Sequence, residues 1–123
     1  MKSPRLPGGD ALRAAFLACL RAHERCEDTV GHLLRNRAAD GDDERIGVLL
    51  DCAEVCRTTM RFIRNGSPLL RGTAGVAAEL CERAAEACAL RAPDATVATC
   101  AETCRRCAAW CRHLAEMPLE RAA

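Results

Sequence analysis

Apolar residues and cysteines recur every three or four positions through most of the chain, which is the spacing of one face of an α-helix. In the first segment this face contains Leu12, Phe16, Cys19, Cys26 and Val30. The strict alternation of apolar and polar residues that indicates a β-strand is not found in the sequence, and neither is a hairpin signal. The pattern therefore predicts an all-α protein.

Turn and capping residues divide the chain into four predicted helices. Asp10 is a good N-cap for the first helix, and Asp94 or Thr96 can cap the fourth. Ser67 followed by Pro68 predicts an N-cap and a first helical residue for the third. Because the loops are short, consecutive helices must be antiparallel, and we expect an up-down-up-down four-helix bundle. The predicted helices cover residues 10–37, 43–64, 68–91 and 95–116 of a single domain spanning residues 1–123.

The composition indicates which side chains must fill the core. Hydrophobic residues make up 50% of the chain but aromatic residues only 2%, so the core must consist of Ala, Leu, Val and Cys. Ten cysteines among 123 residues is far above ordinary usage, and packing alone is a poor explanation for them. The 18 basic and 17 acidic residues nearly balance, so charge gives no reason to expect binding to nucleic acid or to an anionic membrane.

The N-terminal segment bears on the compartment in which the protein works. Residues 1–10 contain no apolar stretch of the kind found in secretion signals, and no apolar run elsewhere reaches the length of a transmembrane helix. We therefore expect a cytoplasmic protein, in which thiols stay reduced. In that compartment a cysteine-dense chain indicates metal binding or redox chemistry rather than disulfide bonds.

Each predicted helix carries a stripe of sulfur on one face. The fourth helix has Cys100, Cys104, Cys107 and Cys111, at steps of four, three and four residues. The other stripes consist of Cys19, His23 and Cys26 on the first helix, Cys52, Cys56 and Met60 on the second, and Cys81 and Cys88 on the third. Together the stripes predict a column of soft metal ligands along the bundle axis.

Antiparallel pairing and a rise of about 1.5 Å per residue place these side chains at successive levels of the column. His23 can be a metal ligand or a core histidine bonded to a carbonyl or a carboxylate, and Met60 can be a ligand or core packing. The predicted levels are Cys88 with Cys100; then Cys26, Cys52, Cys81 and Cys104; then His23, Cys56 and Cys107; and finally Cys19, Met60 and Cys111.

The donor set favours Cu(I) over other metals. Thiolate, thioether and imidazole are ligands for Cu(I), Zn(II) and iron–sulfur clusters. Structural zinc uses a closed site of about four ligands. The ferredoxin run has different gaps between its cysteines and a following proline. Because Cu(I) binds to two or three thiolates and tolerates bridged chains of sites, we expect Cu(I), with zinc or an iron–sulfur cluster as less favoured alternatives.

Two cysteine motifs resemble those of a known family. The motifs are the segments Asp51–Cys56 and Cys100–Cys111, which begin with Asp-Cys-Ala and Cys-Ala-Glu. They resemble the cysteine-rich four-helix-bundle copper-binding proteins, which include bacterial cytosolic copper storage proteins, and the resemblance covers residues 10–116. It implies that cysteines lining the bundle interior take up many Cu(I) ions. It also implies a homo-oligomer, which is a homo-tetramer in many cytosolic members.

This chain has fewer cysteines than the family pattern, since His23 and Ala85 stand at positions where the family has cysteine. Two functions therefore remain open. The leading hypothesis is Cu(I) sequestration and storage without catalysis. The alternative is a copper-dependent oxidase or tailoring enzyme on the same scaffold, in which His23 shares a smaller copper site with Cys56, Cys107, Cys19 or Cys111.

Overall fold

A computed structural model describes residues 9–36, 42–90 and 94–118, which form four α-helices. These described residues contain no strand, and the predicted all-α class is confirmed. The predicted last residues of the first and third helices, Arg37 and Arg91, lie outside the described residues. The helices are α1 (Gly9–Arg35), α2 (Asp42–Asn65), α3 (Leu70–Ala89) and α4 (Ala95–Glu116).

The helices form an antiparallel ring, which confirms the predicted four-helix bundle. Each helix packs against its neighbours in the chain, and α1 also packs against α4 to close the ring. The core consists mainly of Ala and Cys, and Leu49 and Leu114 are the largest of its fully buried side chains. The interior is therefore lined chiefly by methyl groups and sulfur atoms.

The corner between α2 and α3 places the start of α3 two residues later than predicted. Gly66 has a φ of +65°, and the amides of Gly66 and Ser67 donate to the carbonyls of Ile63 and Phe62 at 3.3 and 2.9 Å. This is a Schellman motif, which ends α2 with a glycine in the left-handed region. The Ser67 hydroxyl accepts a hydrogen bond from the Leu69 amide at 3.0 Å, so it stabilises the turn before α3 rather than capping the helix.

Asp94 caps α4, as predicted, and also connects α4 to α1. Its Oδ1 accepts hydrogen bonds from the amides of Thr96 and Val97 at 2.9 and 3.2 Å. Its Oδ2 accepts a hydrogen bond from His32 Nε2, in the last turn of α1, at 2.8 Å. The hydrogen bond from His32, supported by that from Val97, holds the pKa of Asp94 below its ordinary value.

The outer faces of the helices carry exposed ion pairs, such as Arg83 with Glu79 at 2.6 Å and Arg112 with Glu82 at 2.7 Å. Exposed pairs of this kind contribute little to stability, so packing of the interior must hold the bundle together. None of the described helices combines the length and the apolar character that crossing a bilayer requires.

Candidate metal centre

All ten cysteines are free thiols in the interior of the bundle. Nine have no exposed surface, and Cys88 is 4% exposed. Helical spacing explains this arrangement, because steps of three and four residues keep every cysteine of a helix on its inward face. The sulfur column that the sequence predicts is therefore present, and its thiols are protected from water.

Six of the cysteines form a continuous chain of sulfur contacts, called here the six-thiol group. Cys56 lies at its centre, with its Sγ 3.7 Å from that of Cys81 and 3.8 Å from that of Cys107. Beyond Cys107, the Sγ atom of Cys19 lies 3.6 Å from that of Cys111. The members are Cys19, Cys52, Cys56, Cys81, Cys107 and Cys111, which come from all four helices and have contact distances of 3.5–3.8 Å.

The other four cysteines form the four-thiol group, toward the end of the bundle where α1 ends and α4 begins. The Sγ atoms of Cys26 and Cys104 are 3.6 Å apart. The Sγ atom of Cys100 lies within 4.8 Å of both, and Cys88 interacts with Cys100. The members come from α1, α3 and α4 and are Cys26, Cys88, Cys100 and Cys104.

The sulfur contacts follow the levels that helical spacing predicts. Contacts between levels, such as that of Cys56 with Cys81, connect the six-thiol group, and hydrogen bonds of Cys52 with Cys104 and Cys26 join it to the four-thiol group. The column is thus a consequence of helix geometry and antiparallel pairing, without any special loop. The pairs that share a predicted level and are in contact are Cys26 with Cys104, Cys52 with Cys81, Cys56 with Cys107, and Cys19 with Cys111.

Three sets of thiols have the spacing that a metal ion needs. With metal–sulfur bonds of about 2.3 Å, as in zinc thiolates, sulfurs around one ion lie about 3.8–4.6 Å apart for tetrahedral to linear coordination. Cys56 belongs to two of the three sets, so an ion in one would share a ligand with an ion in the other. The sets, with sulfurs within 4.8 Å of one another, are Cys19, Cys56 and Cys107; Cys26, Cys100 and Cys104; and Cys52, Cys56 and Cys81.

Hydrogen bonds among the thiols shift their pKa values in opposite directions. The hydrogen bond with Cys100, together with burial, raises the pKa of Cys88. Hydrogen bonds from Cys104, Cys26 and Cys88 lower the pKa of Cys100. Because a metal binds the thiolate, each thiol that becomes a ligand must release its proton, and metal uptake by this core is accompanied by proton release.

His23 points toward backbone and carboxylate oxygens. Its Nδ1 donates a hydrogen bond to the Ala53 carbonyl at 2.8 Å, and its Nε2 lies 3.5 Å from Glu27 Oε1. Among the described residues, the sets of three close ligand atoms contain cysteines alone. Met60 is buried one turn after Cys56. The ligand roles of His23 and Met60 therefore stay predictions.

Two residues near the thiols or the helix ends, Thr29 and His32, are not indicated by the cysteine pattern of the sequence. Thr29 is fully buried near the four-thiol group, and its hydroxyl has no hydrogen-bond partner among the described residues. Its position three residues after Cys26, on the same face of α1, is the signal that could have identified it. His32 pairs with Asp94 across 62 positions of sequence, and no local pattern indicates that contact.

The comparisons with known proteins agree with the geometry. The model of the copper storage protein family matches residues 9–116 of the chain. A comparison with curated proteins finds no match.

Three solved structures have the same fold. The Nmul_A1745 protein from Nitrosospira multiformis is 30% identical, with a TM-score of 0.81 over 87% of this chain and 96% of that one. The Cu(I)-bound copper storage protein BsCsp3 is 23% identical, with a TM-score of 0.80 over 85% and 98% of the two chains. Apo copper storage protein 3 from Bacillus subtilis is also 23% identical, with a TM-score of 0.74 over 84% and 97%.

Proposed function

Because the chain belongs to the copper storage protein family, we propose that it binds Cu(I) through the thiolates of its core and stores the metal there. The observation that carries the proposal is the sulfur column, in which each of ten buried cysteines on four helices interacts with a neighbouring thiol. A single structural ion does not require so many ligands. Storage of several ions does require that many ligands.

The arrangement of the ligands favours Cu(I) over zinc. A structural zinc site is closed, with about four ligands dedicated to one ion. Here Cys56 is shared between two sets of thiols, and the Sγ atom of Cys107 lies 3.8 Å from those of both Cys56 and Cys111. Shared thiolates suit a soft ion that accepts few ligands and forms bridged clusters, and Cu(I) is such an ion.

Uptake requires each ligand to change from thiol to thiolate. The incoming Cu(I) replaces the proton on sulfur, and the proton passes to solvent. Burial of the column then separates the bound ions from water and from external ligands. The ten cysteines are the proposed ligands, and substitution tests the ligand roles that the sequence predicts for His23 and Met60.

We further propose that the protein works in the cytoplasm and as a homo-oligomer. Ten free thiols are compatible with a reducing compartment. The homo-oligomer, a tetramer by resemblance to cytosolic members of the family, is supported by exposed apolar side chains. Leu17 and Trp110, 41% and 38% exposed, line a cleft of about 280 Å³ between α1 and α4. Sedimentation of the wild-type protein and of Trp110→Ala measures the assembly.

An anaerobic titration with Cu(I), in competition with a chromophoric Cu(I) chelator, tests the storage function. We expect several Cu(I) ions per chain to resist the chelator, approaching the number of cysteines. A parallel titration with Zn(II) should saturate at fewer ions. Saturation at one or two Cu(I) per chain would contradict storage and would favour the enzyme alternative at His23.

A further inference from the structure

Two threonines are fully buried in the bundle, and their hydroxyls differ in hydrogen bonding. Thr59 donates to the Val55 carbonyl at 2.8 Å, one turn earlier in α2. Thr29 in α1 is equally buried, but its hydroxyl has no hydrogen-bond partner among the described residues. A buried hydroxyl that could bond its own helix and does not is destabilising, and its retention calls for an explanation.

Thr29 lies beside the four-thiol group. It follows Cys26 by three residues and therefore shares the inward face of α1. Its hydroxyl is also close enough to the Cys100 sulfur to contribute to the lowered pKa of that thiol, after the larger contributions of Cys104, Cys26 and Cys88. Helical rise also places Thr29 one turn beyond Cys26, at the level of Cys100, although the hydroxyl makes no well-formed hydrogen bond to that sulfur in the metal-free protein.

We propose that Thr29 is a positioning residue of the copper site, which donates a hydrogen bond to the Cys100 thiolate when Cu(I) is bound. A neutral thiol is a weak acceptor, and the hydroxyl gains little from it in the metal-free protein. A thiolate carries negative charge in a site without water, where a charge-assisted hydrogen bond is much stronger. The inference rests on the proposed storage function and adds a residue that tunes it.

The Thr29 hydroxyl should strengthen copper binding by stabilising negative charge on the loaded four-thiol group. The four-thiol group has more thiolates than one Cu(I) requires, so a loaded cluster keeps negative charge that the protein must stabilise. Thr29 supplies a fixed dipole for that charge. Its contribution is small in the metal-free protein, where it does not offset the cost of burying the hydroxyl, so removing the hydroxyl should have opposite effects on the two states.

Thr29→Val tests this directly, with Thr59→Val as the matched control. Without the unpartnered hydroxyl, the metal-free Thr29→Val protein should have a Tm a few degrees above that of the wild type. Its affinity for the Cu(I) held by the four-thiol group should fall about tenfold in chelator competition. Thr59→Val should leave Cu(I) affinity unchanged. Thr29→Ser, which keeps the hydroxyl but loses a methyl group, should lower Tm and retain wild-type Cu(I) affinity.

The same substitution made in a Cys100→Ala protein tests whether Thr29 affects Cu(I) affinity through Cys100. In Cys100→Ala, adding Thr29→Val should leave Cu(I) affinity unchanged, because the proposed acceptor is gone. An equal loss of affinity in both backgrounds would overturn the inference, and so would wild-type affinity in Thr29→Val alone. In either case, wild-type uptake of several Cu(I) ions would leave the storage function standing. If the wild-type protein takes up no Cu(I), the storage function itself fails.

Discussion

The six-thiol group and the four-thiol group are built on the same bundle but have different surroundings. In the six-thiol group every sulfur has a neighbour within 3.8 Å, and Cys56 links two sets of ligands. In the four-thiol group the sulfurs of Cys26 and Cys104 are 3.6 Å apart, and that of Cys100 lies within 4.8 Å of both. It also has polar neighbours, namely the buried hydroxyl of Thr29 and Arg45, whose charge acts to lower the pKa of Cys88.

From this difference we expect copper capacity to be set mainly by the six-thiol group and copper affinity mainly by the surroundings of the four-thiol group. Where sulfurs are dense, ions can share ligands, and the number of thiolates determines how much copper is held. Where sulfurs are sparse, hydroxyl and charged neighbours determine how firmly each ion is held.

Cysteine substitutions should change copper capacity most in the six-thiol group. Cys56→Ala removes a ligand from two sets at once and should cost roughly two Cu(I) per chain. Cys88→Ala, at the end of the column, should cost at most about one. Anaerobic titration of both variants against the chelator measures the difference. Equal losses would mean that the two groups load as one cluster.

Large-to-small substitutions should show that apolar packing at the two ends holds the metal-free bundle together. Leu114 follows Cys111 by three residues and Leu49 precedes Cys52 by three, and both are fully buried. Leu114→Ala and Leu49→Ala should each lower the free energy of unfolding by about 2–5 kcal/mol. Leu90→Ala, at a position that is 84% exposed, is the control and should change it by less than about 0.5 kcal/mol. Urea denaturation of the metal-free proteins gives these values.

His23→Ala separates a structural from a ligating role beside the six-thiol group. Loss of the hydrogen bond to the Ala53 carbonyl should lower stability by about 0.5–1.5 kcal/mol, while the number of bound Cu(I) ions stays unchanged. His113→Ala, at an exposed position in α4, provides the comparison. A titration that ends one Cu(I) short in His23→Ala alone would instead make His23 a ligand.

Asp94→Asn should have a small effect that depends on pH, at the four-thiol end of the bundle. Because the folded-state pKa of Asp94 lies below its ordinary value of 3.8, the ionised carboxylate contributes stability above that value. The contribution is lost as the pH falls through the lowered folded-state pKa. The urea midpoint of the wild type should therefore fall more steeply below about pH 4 than that of Asp94→Asn, whose side chain still caps α4. Parallel pH profiles would argue against this role of the carboxylate.

The levels of the sulfur column could be predicted from the sequence because they depend only on helical rise and antiparallel pairing. The thiols placed at one level by that rise and pairing, such as Cys26 with Cys104, are in contact in the structure. The start of α3 could not be predicted in the same way. Ser67 and Pro68 are typical of a helix start, but the Schellman motif at Gly66 uses the following residues for a turn.

The hydrogen-bond partners of individual side chains were less predictable than the levels of the sulfur column. His32 and Asp94 meet because α1 ends where α4 begins, and only the assembled bundle shows that contact. The two ring nitrogens of His23 are directed at Ala53 and Glu27 by its rotamer, which helical spacing does not determine. The missing partner of Thr29 is likewise a property of the packed interior.

The ring of antiparallel helices also has a consequence for the newly made chain. Most contacts of the bundle join helices that follow one another in sequence, and α1 with α4 is the distant pair. Bundles with such local contacts fold in about microseconds to milliseconds. Ten thiols would therefore be enclosed soon after synthesis, before oxidants or competing metals have much time to react with them. Rapid folding would itself protect the empty site.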